Sequence, residues 1–139
     1  MNEDVLKVLK ATNHQTVFHS LGIELVALDQ NKTVVSLNVD DRHRQQFGLV
    51  HGGIYVLLAE SAASVAAACT LTSFEESVVA LEINANHLRT VQNGKLSAFA
   101  TAIHLGKTTM VYETRVLDDK DQLVSVGRCT LVRVKKKSG

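Results

Sequence analysis

The chain of 139 residues contains no proline, no tryptophan and only two cysteines. Without proline, none of its turns relies on a ring that fixes φ. Cys69 and Cys129 are too few for a disulfide framework, so we expect two buried thiols in a reducing compartment, with the cytoplasm as the default location. The N-terminal segment carries acids and has no long apolar core, which is not the pattern of a secretory signal peptide.

Charge bias and long apolar runs are missing as well. The 15 basic and 14 acidic residues leave a net charge of +1, which excludes a basic footprint for nucleic acid. The one basic run, 135–137, is interpreted as a solvated tail. No segment offers the ~18 uninterrupted apolar residues of a membrane helix. The six histidines lack metal-ligand spacing and no glycine-rich phosphate loop is present, so we expect neither a metal nor an organic cofactor.

The apolar pattern changes its period along the chain. A short amphipathic helix begins at residue 2 or 3, and a second helical piece, Gln15–Leu21, ends at Gly22. Alternation with period two then predicts six strands, and a long alanine-rich helix, Gly52–Thr72, separates the second strand from the third. The predicted strands are Ile23–Leu28, Thr33–Val39, Val78–His87, Leu96–Leu105, Thr108–Leu117 and Leu123–Val134.

This order of elements predicts an α+β fold. An antiparallel six-stranded sheet would wrap around one central helix, because the small residues of that helix allow close packing against a flat surface. Short connections make the last three strands a meander. We expect a single domain over residues 1–139.

The most informative segment is 51–64, which reads HGGIYVLLAESAAS. Glu60 is the only charge between Gly52 and Thr72, and burying an ionised, unpartnered carboxylate costs several kcal/mol, so such an acid usually has a function. The pair Gly52–Gly53 allows a close approach of the backbone, and the first helical turn presents free N–H groups. A carboxylate and an oxyanion site on one helix indicate acyl chemistry.

The spacing of these groups predicts a shared site. Gly52 and Glu60 lie roughly on one side of the helix but ~12 Å apart along its axis. In a regular helix, both groups of one subunit cannot contact the same carbonyl. We therefore expect one subunit to provide the amide and another to provide the carboxylate.

Three separated segments agree in order and spacing with a known family. The runs QQFGLVHGGIYVLLAESAAS, LEINANHLR and HLGKT resemble the hotdog-fold acyl-CoA thioesterases. The branch is that of the phenylacetate-pathway type, the Arthrobacter-type 4-hydroxybenzoyl-CoA thioesterase and the aryl-CoA thioesterases of menaquinone and enterobactin metabolism. The resemblance extends from about Phe18 to Val134. It implies a hotdog fold, dimers in which two sheets join edge to edge, a homotetramer built from these dimers, and active sites at the subunit interface.

The resemblance also implies a reaction and the residues for it. The reaction is hydrolysis of an acyl-CoA ester, in which CoA is part of the substrate, and an aryl group such as 1,4-dihydroxy-2-naphthoyl is favoured. The catalytic residues would be Glu60 as general base or nucleophile, Gly52 as oxyanion donor, Gln45 (or its neighbour Gln46) at the thioester, His51 of the motif, and Ser64, which places water or substrate. The residues implied to bind substrate and CoA are Ala80, Asn86, His87, Leu88, Arg89, His104, Leu105, Gly106, Lys107, Thr108 and Thr109.

Other interpretations stay open at this point. Glu60 could form an interface salt bridge, His51 could only cap the helix, and the Ser64 hydroxyl could bond to the Glu60 carbonyl. Arg89 and Lys107 could be ordinary surface charges. For the whole chain, the alternatives are a hotdog hydratase or dehydratase, a non-catalytic acyl-CoA binding protein and a purely structural oligomer.

Overall fold

A computed structural model describes residues 2–137, so the two ends of the predicted domain, 1 and 139, lie outside it. The helices are α1 (Asn2–Thr12), α2 (Val17–Leu21) and α3 (Gly52–Ala68), with 3₁₀ turns at Asn13–Gln15 and Asp41–His43. The strands are β1 (Glu24–Ala27), β2 (Lys32–Asn38), β3 (Glu76–His87), β4 (Lys95–Leu105), β5 (Thr109–Leu117) and β6 (Leu123–Lys135).

The six strands form one antiparallel sheet in the order β1-β2-β4-β5-β6-β3. The predicted architecture is confirmed, since the sheet packs around α3, and so is the meander of β4, β5 and β6. Helix α3 lies in the core because small residues cover most of its surface. Nine of its 17 residues are buried, five of them alanines, and a bulkier helix could not approach the sheet as closely.

Two helix bounds differ from the prediction. Helix α3 ends at Ala68 instead of Thr72, because the next amides bond to carbonyls three residues back. The Thr70 hydroxyl also donates to the Ala67 carbonyl at 2.7 Å, which competes with a further helical turn. Helix α2 begins at Val17 instead of Gln15, because residues 13–15 form a separate 3₁₀ turn. Its predicted cap is present, since Gly22 has φ = 66°.

The polar segment 40–48, between β2 and α3, contains ordered structure. It contains the 3₁₀ turn Asp41–His43, and Arg44 then pairs with Val50 in an isolated antiparallel bridge. The bridge closes a short loop just before α3. Strand β3 begins at Glu76, two residues before the predicted start at Val78.

The two edges of the sheet are unequal. Strand β1 has four residues, whereas β3 has 12 and leaves its outer edge unpaired within residues 2–137. Val79 and Leu81 on β3 are 46% and 62% exposed, and a bulge interrupts the pairing between Ala80 and Glu82. A long edge strand with exposed apolar side chains is a surface on which another strand can pair.

No helix within the described residues has the length and apolar character needed to cross a bilayer.

Candidate active site

The first turn of α3 leaves one amide free. His51 caps the helix, and its Nδ1 accepts the Gly53 N–H at 2.8 Å. The Ile54 N–H donates to the His51 carbonyl at 2.9 Å. The Gly52 N–H has no acceptor among residues 2–137. Because Nδ1 is the acceptor, a neutral His51 carries its proton on Nε2, where it can donate to another group.

His87, at the end of β3, lies against this turn. A Cβ placed on Gly52 would be 3.0 Å from both Cδ2 and Nε2 of the His87 imidazole. On its other side, His87 Nδ1 is 2.9 Å from the Ser125 hydroxyl, and the ring meets Tyr55 edge-on with centroids 5.1 Å apart. Burial raises the pKa of Tyr55, so this phenol stays protonated at neutral pH. A side chain at Gly52 would therefore press on the His87 ring, which would have to shift by a few tenths of an ångström to make room.

Gln45 lies in the loop before α3. Its N–H donates to the Leu49 carbonyl at 2.8 Å, and its carbonyl accepts the Gly48 N–H at 3.0 Å. Its side-chain Oε1 accepts the Phe47 N–H, so the amide NH₂ group is left to donate elsewhere. The neighbouring Gln46 is exposed.

Glu60 and Ser64 lie on the one face of α3 that is not fully covered. Glu60, Ser64 and Ala68 recur every four residues and are all partly exposed. Within the described chain, Glu60 has no cation or hydrogen-bond donor, and no hydrogen bond joins the Ser64 hydroxyl to the Glu60 carbonyl. The carboxylate is thus partly exposed and unpartnered among residues 2–137.

A buried thiol lies beneath Glu60. Burial raises the pKa of Cys129 to about 12, and the charges of Glu60 and Glu82 add to this effect. Cys129 therefore stays a neutral thiol, which is a poor nucleophile.

The remaining predicted binding residues lie at the other end of the sheet. His104 to Thr109 form the end of β4, a turn and the start of β5; the Gly106 N–H donates to the Thr109 carbonyl at 2.9 Å. Thr109 of β5 pairs with Val132 of β6, which in turn pairs with Val79 of β3. The β4–β5 turn therefore lies at the same end of the sheet as Ala80. A Cβ on Gly106 would meet His104 Nε2 at 2.6 Å, so the turn is compact.

Within one protomer, the predicted site residues therefore form two separate groups. One group, at the start of α3, contains Gly52, His51, Gln45 and the segment 86–89. The other contains Ala80 and the β4–β5 turn. The eight residue steps of β3 from Val79 to His87 separate the two ends by about 26 Å. Glu60 and Ser64 lie between them, in the middle of α3.

Two residues that contact His87 next to the start of α3 were not predicted from the sequence: Tyr55 and Ser125. Tyr55 is the one aromatic residue of α3, and its place in the motif was the available signal. Ser125 carries no local signal, since it is an ordinary inward position of β6. In the described residues, no three His, Cys, Asp or Glu side chains are grouped so that they could hold a metal ion.

Comparison with known proteins gives consistent matches. The sequence profile of the Thioesterase superfamily matches residues 47–125. The 1,4-dihydroxy-2-naphthoyl-CoA hydrolase of Listeria monocytogenes is 47% identical over 118 residues, which are 85% of this chain and 94% of that protein. The crystal structure of a glutamine-to-alanine mutant of thioesterase PA1618 from Pseudomonas aeruginosa has a TM-score of 0.87 at 38% identity and covers 94% of both chains.

Two crystal structures of SAV0944 from Staphylococcus aureus also match, one a glutamate-to-alanine mutant and the other a glutamine-to-alanine mutant. Their TM-scores are 0.85 and 0.83 at 30% and 31% identity. They cover 87% and 86% of this chain and 100% and 98% of their own.

Proposed function

The chain belongs to the thioesterase superfamily and is a thioester hydrolase, and on that premise we propose that it hydrolyses acyl-CoA esters to a free acid and CoA. The observation that carries the proposal is that one helix contains both a free amide, at Gly52, and an unpartnered carboxylate, at Glu60. We further propose that these two groups act on one ester from two different subunits.

In this mechanism the start of α3 binds the thioester oxygen. The Gly52 N–H donates to it at the positive end of the helix dipole, and the free amide group of Gln45 is a second donor. Both donors stabilise the negative charge that develops on the oxygen in the transition state. His51 holds the turn through its contact with Gly53 and presents its Nε2–H at the same end of the helix.

Glu60 of the partner subunit then supplies the base or the nucleophile. As a base it removes a proton from water while the water oxygen attacks the carbonyl carbon, and CoA leaves as the thiolate. As a nucleophile it forms a mixed anhydride with release of CoA, and water then hydrolyses the anhydride. Ser64, one turn along the same partly exposed face, would orient the water or the acyl group.

The unequal sheet edges support the shared site. Pairing of β3 with β3 of a second copy about a two-fold axis runs the strands antiparallel. Such pairing brings Ala80 and the β4–β5 turn of one copy toward His87 and Gly52 of the other. It also covers the exposed side chains of Val79 and Leu81. We propose this dimer as the unit of the active site and, following the family resemblance, a dimer of dimers as the assembly.

The matched S. aureus structures support the choice of Gln45 over Gln46. The glutamine and the glutamate substituted in those two mutants lie fifteen residues apart in that protein. Gln45 and Glu60 are fifteen residues apart here, whereas Gln46 is one residue closer to Glu60. The same spacing supports Glu60 as the carboxylate of the pair.

The substrate we favour is an aryl-CoA ester. Its support is the 47% identity to a protein named 1,4-dihydroxy-2-naphthoyl-CoA hydrolase. The two buried, unpaired thiols support the cytoplasm as the location, and we propose no metal or organic cofactor.

A panel of acyl-CoA esters tests the function. Thiol release, followed with a chromogenic disulfide, should be fastest for aryl esters such as 1,4-dihydroxy-2-naphthoyl-CoA. Loss or gain of water at an enoyl ester, followed through its absorbance, without thiol release would instead identify a hydratase. Tight binding of CoA esters without turnover, unchanged in Glu60→Ala, would identify a binding protein.

A further inference from the structure

The segment before Gln45 contains a histidine that the proposed mechanism does not use. His43 ends the 3₁₀ turn Asp41–His43 and is completely buried. Its Nδ1 accepts the Asp40 N–H at 2.9 Å, and its Nε2 is 2.8 Å from the Leu21 carbonyl. Since a backbone N–H can only donate and a carbonyl can only accept, the neutral ring carries its proton on Nε2.

Both ring nitrogens are therefore occupied by the backbone. No nitrogen of His43 is left to accept a substrate proton, so this residue does not act in proton transfer. Instead, the ring connects the 40–44 segment to the last carbonyl of α2, 22 residues earlier in the chain. The bond to Asp40 is local, whereas the bond to Leu21 anchors the segment to the body of the fold.

The main chain of His43 extends this anchor to the proposed site. Its carbonyl accepts the His51 N–H at 2.8 Å, which fixes the residue that caps α3. Two residues further on, Gln45 is held by its bond to Leu49 within the same closed loop. The His43 imidazole thus acts mainly on Gln45 through the chain itself, whereas His51 also keeps its own side-chain cap on Gly53.

The other anchors of this segment are weaker. Arg42 donates to the Ser20 carbonyl, but its guanidinium is exposed, and Arg44 bonds near the surface to the Gln92 carbonyl and to Asn93. Exposed ionic and polar contacts contribute little because water competes for them. Among the side chains from 40 to 44, only that of His43 is buried.

We propose that His43 is a positioning residue for thioester hydrolysis, which holds Gln45 at the thioester through its bond to Leu21. This inference rests on the proposed function. A misplacement of about 1 Å at a reacting group can cost up to about 10²-fold in rate, so loss of the anchor should be visible in kcat.

Two isosteric substitutions separate the two hydrogen bonds. In His43→Gln the amide nitrogen replaces Nε2 and keeps the bond to Leu21. In His43→Asn the amide oxygen replaces Nδ1 and keeps only the bond to Asp40. We expect kcat of the folded enzyme to fall about tenfold in His43→Asn, with little change in KM, and to stay within about threefold of the wild type in His43→Gln. His43→Thr, which offers an acceptor to Asp40 and does not reach Leu21, replaces the Asn variant if the latter fails to fold.

A double-mutant cycle with Gln45→Ala shows whether the effect passes through Gln45. In that background we expect His43→Asn to change kcat less than about threefold, because the group that it positions is gone. His19→Asn, at an exposed histidine of α2, is the matched control and should leave kcat unchanged.

Several results would overturn the inference. One is an equal kcat in the Gln and Asn variants, with only the melting temperature lowered, since His43 would then be purely structural. Another is a tenfold loss that persists in Gln45→Ala. If the wild-type enzyme releases no thiol from any ester of the panel, the proposed function itself fails, which is a different outcome.

Discussion

Gly52 lies against the His87 ring, although the two residues are 35 positions apart in the chain. A side chain at Gly52 would begin 3.0 Å from the His87 ring, so the free amide of α3 sits directly beside the end of the edge strand. The amide proposed to bind the thioester oxygen therefore lies next to the strand proposed to form the dimer interface.

This contact predicts the behaviour of Gly52→Ala. The added methyl group must displace either the imidazole or the first turn of the helix, and overpacking of this kind costs about 1–3 kcal/mol of stability. The free amide moves with the turn, so we expect a lower melting temperature and a kcat reduced up to about 10²-fold. Thermal unfolding and steady-state kinetics measure the two effects.

A second substitution isolates the steric cause. In Gly52→Ala/His87→Ala the methyl group has room, so the melting temperature of this variant should be no lower than that of His87→Ala alone. A single Gly52→Ala variant with normal stability and normal kcat would contradict both the tight contact and the role of this amide.

Glu60→Gln should abolish most of the activity without disturbing the fold. The amide has almost the same shape as the carboxylate but neither accepts a proton from water nor attacks a carbonyl, so kcat should fall about 10²- to 10⁴-fold. Because Glu60 has no partner within the protomer, the melting temperature should not fall. Glu24→Gln, at an exposed glutamate on the opposite edge strand β1, is the matched control. Near-normal kcat in Glu60→Gln would remove this residue from the mechanism.

The periodicity of apolar residues was sufficient to predict the fold. Each of the six strands lies within two residues of its predicted bounds, because strands with one face on α3 must alternate. The end of α3 was missed, because the pattern stays apolar to Leu71 while hydrogen bonding already changes after Ala68. Local side-chain bonding, such as that of Thr70, leaves no trace in periodicity.

The candidate site was predictable only where its residues are close in sequence. The motif 51–64 contains the cap, the free amide and the carboxylate in fixed helical spacing. The contact of Gly52 with His87 depends on which strand forms the edge, and the division of the binding residues between two ends of the sheet depends on the register of β3 with β6. Neither follows from local patterns. The helix spacing nevertheless predicted a shared site, and the roles of the individual residues stay predictions.

Mixing two strongly impaired variants tests the shared site directly. Glu60→Gln lacks the carboxylate and Gln45→Ala lacks a thioester donor, but a dimer with one of each has one intact site and one doubly damaged site. After joint unfolding and refolding at equal amounts, random pairing should restore about a quarter of the wild-type activity. Each variant treated alone should keep no more than about 1% of the wild-type activity. If the mixture is no more active than its components although mixed dimers are detected, each site lies within one subunit.

Arg89 and Lys107 should bind the phosphates of CoA. Both side chains are exposed, one after the end of β3 and the other in the β4–β5 turn, and phosphate attraction through such charges is screened by salt. Alanine at either position should raise KM for CoA esters more than KM for a pantetheine ester without the nucleotide. The difference should shrink at high salt. Lys120→Ala, in the turn after β5, is the control, and equal effects on both ester types would argue against phosphate contacts.

The thiols of Cys69 and Cys129 should not react with thiol reagents in the native enzyme. Cys69 is 6% exposed and Cys129 is 0% exposed. Burial raises the pKa values of these thiols from 9.0 to about 11 and about 12, because the thiolate is disfavoured without water. A chromogenic disulfide should therefore label neither cysteine at pH 8, and both only after unfolding, so the thiol-release assay has no background from the protein.

The same shifts predict a loss of stability in alkali. The unfolded chain releases the thiol protons near pH 9, whereas the folded chain keeps them until about pH 11 to 12. Their contribution is complete below pH 9 and disappears as the pH rises through the folded values. Denaturant unfolding between pH 8 and pH 11 should show a steeper decline in the wild type than in Cys69→Ala/Cys129→Ala. Parallel curves, or rapid labelling of native protein at pH 8, would mean that the thiols are accessible to water.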